Sequence, residues 1–149
     1  MDDVTLARAV HVLAVIHWMG GVAFVTAVVL PERKLALFEA VERRFSAQVK
    51  VSVPLVGLSG AYMAERLDLW HRFVEPAGWW LAAMALLWLL FMVILFVVEP
   101  LLARDWFERQ STNDPNGTIR LLQRAHWILL TAGAVVSAAA VLGAHGSLG

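Results

Sequence analysis

Four apolar runs, each bounded by charged or turn-forming residues, constrain this chain more than any other feature. They cover about residues 4–30, 49–64, 78–102 and 118–143. A helix crossing a bilayer needs about 20 mostly apolar residues. With 60% hydrophobic residues and a mean hydropathy of +0.68, the chain is too apolar for a soluble domain of 149 residues. The expectation is therefore an all-α integral membrane four-helix bundle, with residues 1–149 forming a single transmembrane domain. The second run has two readings. It is either the membrane end of a longer helix from near Leu35, since Leu35, Phe38, Val41 and Phe45 recur at helical spacing, or a span preceded by a separate surface helix. Ser111–Gly117 is the clearest break in the chain.

Charge sets an expected orientation. Arg33, Lys34, Arg43, Arg44 and Lys50 lie between the first two runs, and Arg104, Arg109, Arg120 and Arg124 lie around the junction of the last two. The opposite side has only Arg8, Arg66 and Arg72. Positive residues stay on the cytoplasmic side, so both termini are expected on the non-cytoplasmic side of a bacterial inner membrane. Trp70, Trp79 and Trp80 at one edge and Trp106 at the other suit interfacial anchors. Met1-Asp2-Asp3 is acidic where a signal peptide is basic, which favours a retained first helix. A net charge of zero offers no basic surplus for nucleic acid, and the absence of cysteine excludes thiolate metal sites and disulfides.

Four of the five histidines, His11, His17, His126 and His145, fall inside or at the edges of the apolar runs. Ionisable groups at membrane depth are expensive and usually functional. Neutral imidazole is a ligand for both haem iron and copper. Trp18 lies seven residues after His11, on nearly the same helix face, whereas His17 points about 120° away from His11. His126 and His145 are separated by about 28 Å of helix and cannot share one metal within a protomer. The best depth matches pair His11 with His145 at the outer side and His17 with His126 at the inner side. His71, in the outer loop, is a surface residue or the third member of an outer site with His11 and His145. Gly133, Ser137, Ala140 and Ala144 form a stripe that suits close helix packing or a slot for a flat cofactor. Glu99-Pro100 reads as an interfacial carboxylate, or alternatively a proton-handling one, beside a helix kink.

The segment His11-Val12-Leu13-Ala14-Val15-Ile16-His17-Trp18-Met19-Gly20-Gly21 resembles the first-helix signature of the CopD-like and HemJ-like small membrane proteins. Phe38–Phe45, Arg124-Ala125-His126-Trp127 and Gly143-Ala144-His145-Gly146 extend the likeness over most of the chain. HemJ-type proteins are haem b protoporphyrinogen oxidases, and CopD-type proteins are associated with copper handling. The resemblance implies that His11 matches the family's first-helix histidine. Trp79–Met84 lacks the basic position that HemJ-type third helices tend to carry.

The residues and the resemblance together lead to an expected b-type haem protein. One or two haems would be held by His11, His17, His126 and His145 beside Trp18, with Arg8 or Arg66 on outer propionates and Arg120 or Arg124 on inner ones. Such a protein would be a homodimer passing electrons to a quinone, a porphyrinogen or another redox protein, as a haem-dependent oxidoreductase. The alternative is a copper-handling membrane protein with His11, His71 and His145 as an outer site. A third reading is an accessory membrane subunit without a cofactor.

Overall fold

The structure, a computed structural model, describes residues 2–146 and all of their side chains except those at 103 and 104. The positive charge counted at Arg104 thus lies outside the described side chains.

Helix α1, Asp3–Phe24, starts where the Asp2 carboxylate accepts the Val4 N–H at 3.2 Å. It continues through a π-helical turn, Val25–Val29, and a 3₁₀ turn, Leu30–Glu32. Pro31 sits in that last turn, and Arg33, with φ of 53°, reverses the chain. Helix α2 then runs unbroken from Leu35 to Arg66. This decides between the two readings of the second run: the charged stretch is the helix's own extension and not a separate surface helix. Short 3₁₀ turns, Trp70–Phe73 and Pro76–Gly78, lead into α3, Trp79–Val93. A ten-residue π-helical segment, Ile94–Ala103, joins α3 to α4, Arg104–Asn113. Helix α5 spans Pro115–Ala144.

The break expected over Ser111–Gly117 contracts to the single residue Asp114. Its carboxylate caps the Gly117 N–H at 2.8 Å, and Pro115 fits the first helical turn, whose N–H groups need no carbonyl partner.

The described residues are mostly helical, with no strand among them. Three helical stretches, Asp3–Glu32, Pro76–Leu102 and Pro115–Ala144, are long and apolar enough to cross a membrane. Helix α2 is long enough, but Glu39, Glu42, Arg43, Arg44 and Lys50 make its first half polar. The four rods pack as a ring: α1 lies along α2, α2 touches α3, α3 pairs with α5, and α5 closes on α1. One end of the ring, the termini end, holds the start of α1 and the end of α5. The other, basic end holds the Arg33 turn and the α4–α5 junction.

Bulky side chains fill the centre. Trp18 and Phe91 meet edge to face, with ring centroids 4.6 Å apart, among Ala14, Val22, Val53 and Leu95. Glycines serve as sockets for rings and chains from the neighbouring helices. Trp88 lies on Gly57 and donates its indole N–H to the Val53 carbonyl at 2.9 Å. Trp80 lies on Gly143, Met19 on Gly133 and Phe45 on Gly21. The small-residue stripe on α5 is also rotated from the expected one. Gly133, Ala139 and Gly143 are buried, whereas Ser137 and Ala144 face outward.

A methyl group at Gly57 would meet the Trp88 ring, while one at Gly20 would meet nothing within 4 Å. Gly57→Ala is expected to destabilise the bundle by about 1–3 kcal/mol through overpacking. Gly20→Ala is expected to be neutral or slightly stabilising, since alanine is the better helix former. Thermal unfolding of both variants in the same detergent checks the contrast.

Candidate histidine and ion-pair sites

His11 is half-buried on the α1 stripe that also carries Ala14, Trp18 and Val22, and it faces α2. Its Nδ1 lies 3.0 Å from the Val56 carbonyl and 3.1 Å from Ser59 Oγ. The Ser59 hydroxyl gives its single proton to the Leu55 carbonyl at 2.5 Å. Carbonyls only accept, so the proton between His11 and Val56 belongs to Nδ1. In its neutral form the imidazole is then the Nδ1–H tautomer, with the lone pair on Nε2 available as a ligand. Gly60, beside the ring's Cε1, provides the room. This is the outer-shell arrangement that orients metal-binding histidines.

Two other histidines repeat the pattern within their own helix. His126 Nδ1 meets the Leu122 carbonyl at 2.9 Å, and His145 Nδ1 meets the Val141 carbonyl at 2.7 Å. His126 is half-buried at the basic end, edge-on to Phe38. His145 is exposed at the end of α5, His71 is exposed in the Trp70–Phe73 turn, and His17 is exposed on the outside of α1.

Among the described residues, no three of His, Asp and Glu gather closely enough to hold a metal ion. His11, His71 and His145 therefore do not form a ready coordination group within one copy. Arg66, expected on a haem propionate, is engaged elsewhere. It pairs with Asp3 at 2.8 Å, and Tyr62 donates to the same carboxylate oxygen at 2.8 Å, tying the start of α1 to the end of α2. Arg8 is exposed.

The interior of one copy, as its described residues pack, does not fit a haem. The glycine sockets that could admit a flat macrocycle are filled by Trp88, Trp80, Met19 and Phe45. Two surface grooves, one between α1 and α2 and one along α5, are lined without any histidine.

A polar cluster at the basic end surrounds Glu99 with residues of α2 that the sequence alone does not connect to it. Glu42, Ser46 and Lys50 recur every fourth residue along one face of α2, and Ser46 is buried. Glu99, on the π-helical segment, meets this face. Lys50 Nζ lies 2.8 Å from its Oε1, and the Ser46 hydroxyl reaches its two oxygens at 2.7 and 2.8 Å. The sequence signal is the i, i+4, i+8 spacing of Glu42, Ser46 and Lys50, which carries meaning only once α2 is known to be continuous. Burial pushes the Glu42 carboxyl above its usual range, the Glu99 carboxylate pushes the same way, and Lys50 opposes both.

A family model described as Copper resistance protein D, CopD, matches residues 39–142. The chain belongs to the CopD family. No curated protein and no solved structure matches it. The match spans α2 to α5 and contains His71, His126 and the whole polar cluster. It begins beyond His11 and His17 and ends before His145.

Substitutions in the polar cluster separate its contributions. Lys50→Met leaves Glu99 with Ser46 alone and is expected to destabilise by about 1–2 kcal/mol. That is more than an exposed ion pair contributes and less than a fully buried one, because both side chains are about a third exposed. Adding Glu99→Met should recover most of the loss, as a double-mutant cycle in denaturant can measure. For Glu42 the folded-state affinity for a proton exceeds the unfolded one. Stability is then highest below the unfolded pKa and falls as pH rises through the folded pKa. Glu42→Gln should flatten that decline in a plot of melting temperature against pH.

Proposed function

We propose that this protein handles copper ions at a bacterial inner membrane, taking them as cargo through neutral histidines. The observation that carries the proposal is the CopD match over residues 39–142. The geometry of His11 supports it: Nδ1 is held by α2, which leaves Nε2 as a donor suited to copper. In this proposal α1, α2, α3 and α5 all cross the bilayer, with the basic end in the cytoplasm and the termini outside. The exposed His71 and His145 meet an incoming ion at the outer end, and His11, about two turns along α1, accepts it within the bundle. A homodimer is the simplest source of further ligands, because the described residues of one copy bring no three together.

The test is Cu(I) retention by the detergent-purified protein against a colorimetric chelator, with absorption spectra recorded on the oxidised and dithionite-reduced samples. His11→Ala is expected to weaken retention at least about tenfold, the lower range for losing even an outer-shell partner. His17→Ala is expected to leave it unchanged. Equal retention by wild type and His11→Ala would overturn the role of His11. A Soret band with sharp reduced α and β bands would replace the copper reading with haem.

A further inference from the structure

At the basic end, α1 and α2 part to leave a groove of about 220 Å³. Its floor is apolar: Gly21, Val25, Val41 and the Phe45 ring. Its rim is Phe24 on one side and Arg44 and Gln48 on the other, all three exposed. The π-helical turn that begins at Val25 widens the backbone beside the floor.

Three basic side chains of the bundle are paired with acids, and Arg44 is among the arginines that are not. Lys50 pairs with Glu99, Lys34 with Glu32, and Arg66 with Asp3. Arg44 has no acidic or hydrogen-bonding partner among the described residues. It projects one turn outside the apolar part of α2, which begins at about Val49, and Gln48 sits at that boundary. A guanidinium and a primary amide there present donors at headgroup depth, directly above an apolar trough that continues into the bilayer. Arginine suits phosphate oxygens because its donors form a rigid fork. Basic pockets between transmembrane helices are a recurring mode of anionic lipid recognition.

We propose that the α1–α2 groove is a binding site for one anionic phospholipid, with the headgroup phosphate on Arg44 and Gln48 and an acyl chain along Phe24, Val25 and Phe45. The choice of occupant rests on charge complementarity and on the amphipathic lining. A zwitterionic lipid carries its own cation beside the phosphate and gains less from Arg44. A second copy of this chain would have to bring a carboxylate to the same place, and the exposed charges before and along the first half of α2 are mostly positive: Arg33, Lys34, Arg43 and Arg44 against Glu39 and Glu32, the last already paired with Lys34.

The experiment is a thermal-shift titration of the full-length protein, delipidated in a non-ionic detergent, paired with native mass spectrometry. The probes are phosphatidylglycerol, phosphatidylcholine and inorganic phosphate. Phosphatidylglycerol is expected to raise the melting temperature saturably, as binding to the folded state requires, and to leave a lipid-bound mass peak. Arg44→Gln should weaken the apparent affinity about tenfold or more, the loss of a charge-assisted hydrogen bond. Phe24→Ala, an exposed position that keeps the charge, should weaken it to a smaller extent. Arg8→Gln, at the opposite end, should leave it unchanged. Four results would overturn the proposal. These are equal shifts with the two lipids, a shift reproduced by inorganic phosphate, an Arg44→Gln response equal to wild type, or a dimer peak that persists lipid-free and is lost only in the Arg44→Gln variant.

Discussion

Inside a bundle of this apolarity, a polar group without a partner is costly, and most of the architecture can be read as the set of partners provided. Thr26 returns its hydroxyl to the Val22 carbonyl, and Ser59 returns its hydroxyl to Leu55. Trp88 reaches across to Val53, and His11 reaches across to Val56. Glu99 is met by a serine and a lysine from another helix. The cross-helix bonds fix the register between helices in a way that apolar contacts alone do not, because aliphatic side chains slide past one another with little penalty. Three buried groups, the indole N–H of Trp18 and of Trp80 and the Ser52 hydroxyl, have no protein partner among the described residues. Two of them belong to the aromatic residues that fill the centre and the termini end.

The two π-helical segments stand where that demand for partners is sharpest. A π turn adds a residue to the turn and so rotates everything beyond it around the helix axis. In the Ile94–Ala103 segment, Pro100 has no N–H to contribute, so a regular ladder is already interrupted there. The widened backbone presents Glu99 to Ser46 and Lys50 and not to lipid. At Val25–Val29 the same device keeps Val25 and Val29 buried at the point where α1 approaches its turn. Both distortions lie towards the basic end. The termini end is held by regular helices, the Arg66–Asp3 pair and the Trp80 contact.

The helices are legible in the sequence because their apolar runs are long and their breaks are strong. Pro31, Asp114-Pro115 and the turn after Arg66 fall close to where composition puts them. The continuity of α2 is legible only as one of two readings, since its first half carries alternating charges and propensity alone does not say what packs on it. The buried face of α5 differs from the expected one by part of a turn. Ser137 matches the small-residue spacing but not the face, which tertiary contacts with Trp80 and Met19 select. The π segments leave no signal beyond Pro100, so the inward aim of Glu99 is invisible in the sequence. For the histidines, spacing correctly puts His11 and Trp18 on one face and His17 on another. It cannot reveal which nitrogen of His11 is held, because that depends on the carbonyl of Val56, a backbone group without sequence identity.

The family match is confined to part of the chain. It covers α2 to α5 and leaves the α1 histidines outside, although α1 makes the most extensive packing contact in the fold, with α2. The part of the chain that carries the family pattern therefore supplies the surface on which His11 is held: Val56, Ser59 and Gly60 all belong to it. It also supplies Glu42, Ser46, Lys50 and Glu99, the ionisable constellation at the far end. The termini end carries the nitrogens of His11, His71 and His145, and the basic end carries His126 together with carboxylates, one of them paired to a lysine. Imidazole retains a soft ion such as copper, whereas carboxylate and water hold it weakly.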